Sequence, residues 1–170
     1  MTTTSELSTA DLGKLPHWAL VAFAARCARR LDHSSRVFLD DEGQWASTNA
    51  IAVAERSAAL ARALDVNGAI RAAEHAGLKE SNAVLNRGDD TDYAREFSAP
   101  AEVAALAAAT VREPRPQNVK LILDEVDYVL GMEVGSLIFS DYQEVARATI
   151  KQRWNDSTAV CTAFFRDRRR

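Results

Sequence analysis

The sequence predicts an all-α fold, a single-domain bundle of about six to eight helices. Three observations predict it. Alanine is heavily over-represented, with runs such as Ala104-Ala105 and Ala107-Ala108-Ala109; it is the best helix former because it loses no side-chain entropy and hides no polar group. Only four prolines and seven glycines interrupt 170 residues. Long alternating runs of Val, Ile and Thr, the mark of half-buried strands, are absent. A chain of this length that is 47% hydrophobic buries enough surface to fold over residues 1–170 as one unit without a staple. Flexible ends are expected at 1–7 and 166–170.

Ser8 and Thr9 read as the cap of a short opening helix that Gly13 ends. Pro16 suits the first turn of the next helix, which should run to about Leu31. Residues 33–46 read as a connector, with Asp40-Asp41-Glu42-Gly43 as its turn and Val37, Phe38 and Trp45 tucked against the bundle. A long helix from about Thr48 to Leu64 is broken by Asn67-Gly68. A shorter one over Ala69–Ala76 is closed by Gly77. Residues 79–99, polar and acidic, read as a loop with one helical turn near Tyr93. Ser98 and Pro100 open an alanine-rich helix to about Val111, and residues 113–117 read as a linker because of their prolines. Asn118 should cap a helix to about Leu130. Ser140 and Gln143 form a capping-box pattern for a helix ending near Trp154, and the tail adds a short final helix.

The stretch PHWALVAFAARCARRLDH, residues 16–33, gathers two histidines, a cysteine and three arginines. At about 100° per residue, Leu20, Val21, Phe23, Ala24, Cys27, Ala28 and Leu31 share one apolar arc. Arg26, Arg29, Arg30 and His33 fall opposite, with Trp18 at the edge of that arc. Cys27 therefore reads as a small core hydrophobe rather than a nucleophile, which needs an electropositive, partly exposed setting. His17 and His33 do not converge with it, so no metal site is expected, and no cofactor. The outer arc reads either as a solvated surface whose arginines pair with nearby carboxylates or as a docking face for an acidic protein partner, since Trp18, Arg26, Arg29, Arg30 and His33 have the composition of an interface. An internal counterpart exists on the polar face of residues 119–130, where Asp124, Glu125 and Asp127 lie opposite Val119, Ile122, Leu123, Val126, Val129 and Leu130. Charges that meet within the monomer are structural, and charges that meet between chains hold a homo-oligomer. Both arrangements fit the sequence.

The run WALVAFAARCARR, Trp18 to Arg30, resembles the opening of uncharacterised alanine-rich helical proteins of bacteria with a W-x-x-V-A-x-A-A-R-C-A-R-R pattern. A loop and an A-x-A-x-A-E helix like Ala50 to Glu55 follow there, so the likeness spans about the first third of the chain. It implies a bacterial source and a cytosolic setting.

A net charge of −3 with a pI near 5.6 argues against a general nucleic-acid binder, which carries a basic excess. Two features still offer that alternative. Residues 60–78 resemble a helix-turn-helix, with Asp65 in place of the usual turn glycine and Ile70 one position early; Arg71, His75 and Lys79 would face a groove. The C-terminal FFRDRRR adds Arg166, Arg168, Arg169 and Arg170 to two aromatics, a combination that can contact phosphates and bases. Gly-rich phosphate loops, G-x-S-x-G and H-E-x-x-H are all missing, so a non-enzymatic role is expected, as an adaptor, regulator or immunity-type partner, with an unrecognised enzyme as the third alternative. No stretch reaches the ~18 apolar residues of a membrane span. The first fifteen residues lack the basic and apolar regions of a secretory leader. Two distant cysteines, Cys27 and Cys161, suit a reducing cytoplasm.

Overall fold

The computed structural model describes residues 7–35 and 39–165. Val37, Phe38, Arg166, Arg168, Arg169 and Arg170 lie outside the described residues. The described residues form an all-α bundle without a strand: α1 (Thr9–Leu12), α2 (His17–Ser35), α3 (Asp41–Leu60), α4 (Asn67–Asn86), α5 (Thr91–Arg112), α6 (Pro116–Leu130) and α7 (Met132–Lys151), then a 3-10 turn at Thr162–Phe165. That turn takes the place of the expected final helix.

Helix α1 is capped as expected. The Asp11 N–H donates to Ser8 Oγ at 3.1 Å and the Ser8 N–H donates back to Asp11 Oδ2 at 3.3 Å, so two otherwise orphaned donors are satisfied reciprocally. Leu7 is 2% exposed, which corrects the expectation of a flexible end at that position: its side chain belongs to the core.

Helix α2 is the centre of the bundle, packed by α3, α5, α6 and α7. The whole predicted arc from Leu20 to Leu31 is buried, Phe23 and Cys27 fully. Ala19, Ala22 and Ala25 are buried too. Small residues all round the helix let neighbours approach from every side, so α2 has no broad solvent face. Its first turn is capped from far away: the His17 N–H donates to Asp156 Oδ1 at 2.9 Å.

Several boundaries differ from expectation, each for a local reason. The acidic run at 40–43 is a helix start rather than a turn, because Asp40 Oδ1 accepts the Gly43 N–H at 2.7 Å. Trp45 then lies one turn into α3, 66% exposed instead of tucked in. Helix α3 stops at Leu60, where Ala61 takes a left-handed conformation (φ 47°) and the Arg62 N–H donates to Ser57 O at 3.1 Å. Gly77 ends nothing. It is buried inside α4, and a Cβ there would meet Glu102 Cγ at 3.3 Å and Ser98 O at 3.5 Å. Its missing side chain lets α4 and α5 approach closely.

The loop expected over 79–99 is mostly helix, interrupted between Asn86 and Thr91. Asp90 caps α5 by accepting the Tyr93 N–H at 2.8 Å, and Pro100 sits buried inside α5 rather than at its start. Pro116, at the first turn, opens α6, so Asn118 is inside that helix and its amide donates to Glu113 O at 3.2 Å. The linker contracts to residues 113–115. Helix α7 begins at Met132, not at Ser140, and only Gly131 (φ 70°) separates it from α6. That backbone conformation is strained for residues with a Cβ, and it lets two helices meet at one residue.

Candidate functional site

The outer side of α2 is where the sequence places a docking face, and the structure rearranges it. Trp18 is 5% exposed, which corrects its predicted position at a solvent edge. It stacks on His17 with ring centroids 4.1 Å apart. A tryptophan so covered offers a partner nothing. His33, in contrast, is exposed.

The three arginines are covered and paired within the chain. Arg30 donates from Nε at 2.9 Å and Nη2 at 2.7 Å to Asp141 Oδ2, and Arg26 Nε lies 3.5 Å from the same oxygen. Arg29 donates from Nε and Nη2 to the two oxygens of Glu55, at 3.3 and 2.8 Å, and its Nη1 stands 3.8 Å from Asp32. Their side chains are only 15–20% exposed. Asp32, Glu55 and Asp141 thus each bring a carboxylate to these arginines. Charge-assisted pairs of this kind satisfy partly buried guanidinium groups that would otherwise lose their hydration.

Two residues of the expected acidic counterpart, Glu125 and Asp124, pair elsewhere. Glu125 takes Arg95 of α5, with Nε 3.1 Å from both carboxylate oxygens, while the Arg95 guanidinium lies 4.1 Å over the Tyr128 ring. This pairing raises the Arg95 pKa further above its ordinary value. Asp124 pairs with Lys120 of its own helix at 3.0 Å. Asp127 lies nearer α2, and its charge acts on the Cys27 thiol. That thiol is pushed well above its ordinary pKa, first by burial and then by the Asp141 charge. It is protonated and enclosed.

What sequence reasoning missed is α7. Val134, Ile138, Asp141, Val145 and Ala148 follow the spacing of one helical face, and Ile138, Val145 and Ala148 are buried with Asp141 among them. A single carboxylate inside an apolar stripe was the available signal. The capping-box reading of Ser140 to Gln143 obscured it, because it gave those residues to a helix terminus.

Part of the space between α2 and the start of α7 is open. A cleft of about 320 Å³ opens there, with Arg26, Arg29, Arg30 and His33 on one wall and Leu130, Val134 and Leu137 on the other. An arginine carries five donors, and Arg29 directs only Nε and Nη2 at Glu55. Together with the exposed His33, these arginines give the cleft a polar wall opposite an apolar one.

The helix-turn-helix residues Arg71, His75 and Lys79 are exposed along one side of α4. Lys79 is drawn to acid, with Nζ 2.7 Å from Asp40 Oδ2 and 3.6 Å from Glu42 Oε2. A row that ends on two carboxylates is poorly arranged for phosphates. Among the described residues no group of three or more His, Cys, Asp or Glu is placed to hold a metal ion. No described helix is long and apolar enough to cross a membrane. No family model, curated protein or solved structure matches the chain.

Proposed function

We propose that the chain is a non-enzymatic docking module that receives an amphipathic, acidic helix of a protein partner along the outer side of α2. The cleft between α2 and the α6–α7 junction carries this reading, because it sets cationic groups against Leu130, Val134 and Leu137. A helix laid in such a groove buries residues at i, i+4 and i+7 spacing and specifies its register with a few polar contacts. The side of α2 already accepts a helix of that kind from its own chain, since α7 presents an apolar stripe with Asp141 inside it. A reducing cytoplasm suits the reading, because both Cys27 and Cys161 are free thiols.

Site-specific photo-cross-linking in the native host tests it. A benzophenone amino acid at Leu137 should trap one protein, through a segment with apolar residues at helical spacing and at least one Asp or Glu. The same probe at Leu78, which is 63% exposed on α4, should not trap that protein. Identical adducts from both positions, or a trapped segment that is basic, overturn the proposal.

A further inference from the structure

We infer that the C-terminal end of α7 is a contact surface for an anionic lipid bilayer, with Ile150 entering the headgroup boundary among arginine and lysine side chains. The surface is separate from the cleft beside α2. Leu137 and Ile150 lie on one helix, about 20 Å apart along its axis at 1.5 Å per residue, so both sites can be filled together.

Ile150 carries the inference. It is 81% exposed, more than any other large apolar side chain among the described residues. By helical spacing it lies on the side of α7 turned away from the buried Ile138, Val145 and Ala148. Arg147, Lys151 and Arg153 are exposed around it, and among the described residues no carboxylate pairs with any of the three. The arginines of α2 differ in this respect, since each meets a carboxylate. Two acids are close in sequence: Glu144 stands one turn before Arg147, and Asp156 gives an oxygen to the His17 N–H. Cations still outnumber acids at this end.

Arg153 stands where glycine fits best. Helix α7 closes with two backbone bonds, the Trp154 N–H donating to Thr149 O at 2.9 Å and the Arg153 N–H to Ile150 O at 3.3 Å, and Arg153 is left-handed at φ 54°. Glycine takes that conformation without strain, so a guanidinium is held here against the backbone's preference. A helix C-terminus favours cations by itself, which suits Lys151 and Arg153 but gives no reason for a bared isoleucine beside them. The headgroup boundary of a bilayer accepts an aliphatic side chain while lipid phosphates hold the cations. A nucleic-acid backbone offers similar phosphates and nothing for Ile150. Trp154, half-buried with its ring against Phe164 at 5.4 Å, is poorly placed to stack on a base. That packing also sets the end of the described chain beside α7, and the residues that follow in sequence, 166–170, add four arginines and one aspartate.

Vesicle binding by the full chain tests the surface. The chain should sediment at low salt with phosphatidylcholine vesicles carrying about one-third phosphatidylglycerol, stay free of phosphatidylcholine alone, and release in about 0.5 M salt. Arg147→Glu should weaken binding by more than about tenfold and Ile150→Ser by about tenfold. Arg153→Gly should weaken it about fivefold without lowering the thermal midpoint, because it relieves the left-handed strain. In a Cys161→Ser background, an environment-sensitive dye on Ile150→Cys should brighten and shift to the blue on the acidic vesicles. The same dye on Leu78→Cys of α4 should not respond, and the buried Cys27 stays unlabelled. Failure to sediment at low salt overturns the surface, as does wild-type binding by Ile150→Ser or Arg147→Glu. An equal dye response at both positions, or binding to duplex DNA but not to the vesicles, overturns it too. Each of these results leaves the α2 cleft as it stands.

Discussion

Arg30 and Asp141, 111 residues apart in the chain, form a two-donor contact in which Nε and Nη2 of the guanidinium meet the same carboxylate oxygen. Through it a residue that the sequence marks as solvent-facing becomes the attachment point of a whole helix.

This contact predicts an asymmetry. Asp141→Ala removes the carboxylate that Arg26 and Arg30 share, whereas Arg30→Ala leaves Asp141 with Arg26 at 3.5 Å. Asp141→Ala should cost about 2–3 kcal/mol, and Arg30→Ala about half as much, below the full cost of breaking a wholly buried pair. Urea denaturation of both variants measures the difference. Equal losses would show that the two arginines do not depend on one oxygen.

Cys27 is fully buried and Cys161 exposed. A thiol reagent should label Cys161 in the native protein and Cys27 only after denaturant is added, because burial holds Cys27 as the thiol. Cys27→Ala should cost about 1–2 kcal/mol through the lost packing of one sulfur. Mass spectrometry of the labelled protein over time reads the order. Early modification of Cys27 would contradict the placement of α2 at the centre.

Gly77 should respond to size rather than to any side chain as such. Gly77→Ala gains up to about 1 kcal/mol of helix propensity. It spends part of that pushing aside Glu102 Cγ, 3.3 Å from the new Cβ, so the net change should be small. Gly77→Leu should lose about 1–3 kcal/mol by forcing α4 from α5. Thermal denaturation of the pair separates a close approach from a helix end, where both substitutions would destabilise.

Ala61 ends α3 in a left-handed conformation that penalises a Cβ. Ala61→Gly should stabilise the protein by about 1 kcal/mol, less the entropy glycine adds to the unfolded chain. A loss of stability would mean the Ala61 methyl contributes packing that outweighs its strain.

The Asp40–Lys79 contact predicts a pH signature. The Lys79 ammonium first, and the Gly43 N–H second, hold the Asp40 carboxyl below its ordinary value of 3.8. Asp40 correspondingly raises Lys79 above 10.5. A depressed acid contributes stability above its unfolded pKa and loses it as pH falls through the folded one; a raised base contributes below its unfolded pKa and loses it as pH rises through the folded one. The contact should therefore persist between these limits and loosen on either side. Lys79→Met should move the Asp40 midpoint upward in a carboxyl NMR titration. An unmoved midpoint would mean that the lysine does not hold the acid.

The class of fold and the buried side of α2 were legible in the sequence because both are local properties. Helix propensity is set by the alanines, and the apolar arc from Leu20 to Leu31 needs only the 3.6-residue period. The cap at Ser8 was legible for the same reason, since its two hydrogen bonds span three residues. Local signals failed where the same residues serve two purposes. Asp40 to Gly43 makes a helix start as readily as a turn, and Gly77 can end a helix or let another helix approach. The polar stretch 79–99 lacks a strong apolar period, yet packing of Val84, Ala94 and Ala99 into the bundle holds it helical. Tertiary structure decided the candidate site. A helical wheel shows which residues oppose the core stripe, but not whether another helix covers them. Covering Arg26 and Arg30 required a carboxylate from a helix more than a hundred residues away, and Trp18 was covered with them because small alanines let neighbours close in on every side of α2. Pattern along one helix reports that helix's own period; what lies against its second face depends on the rest of the chain.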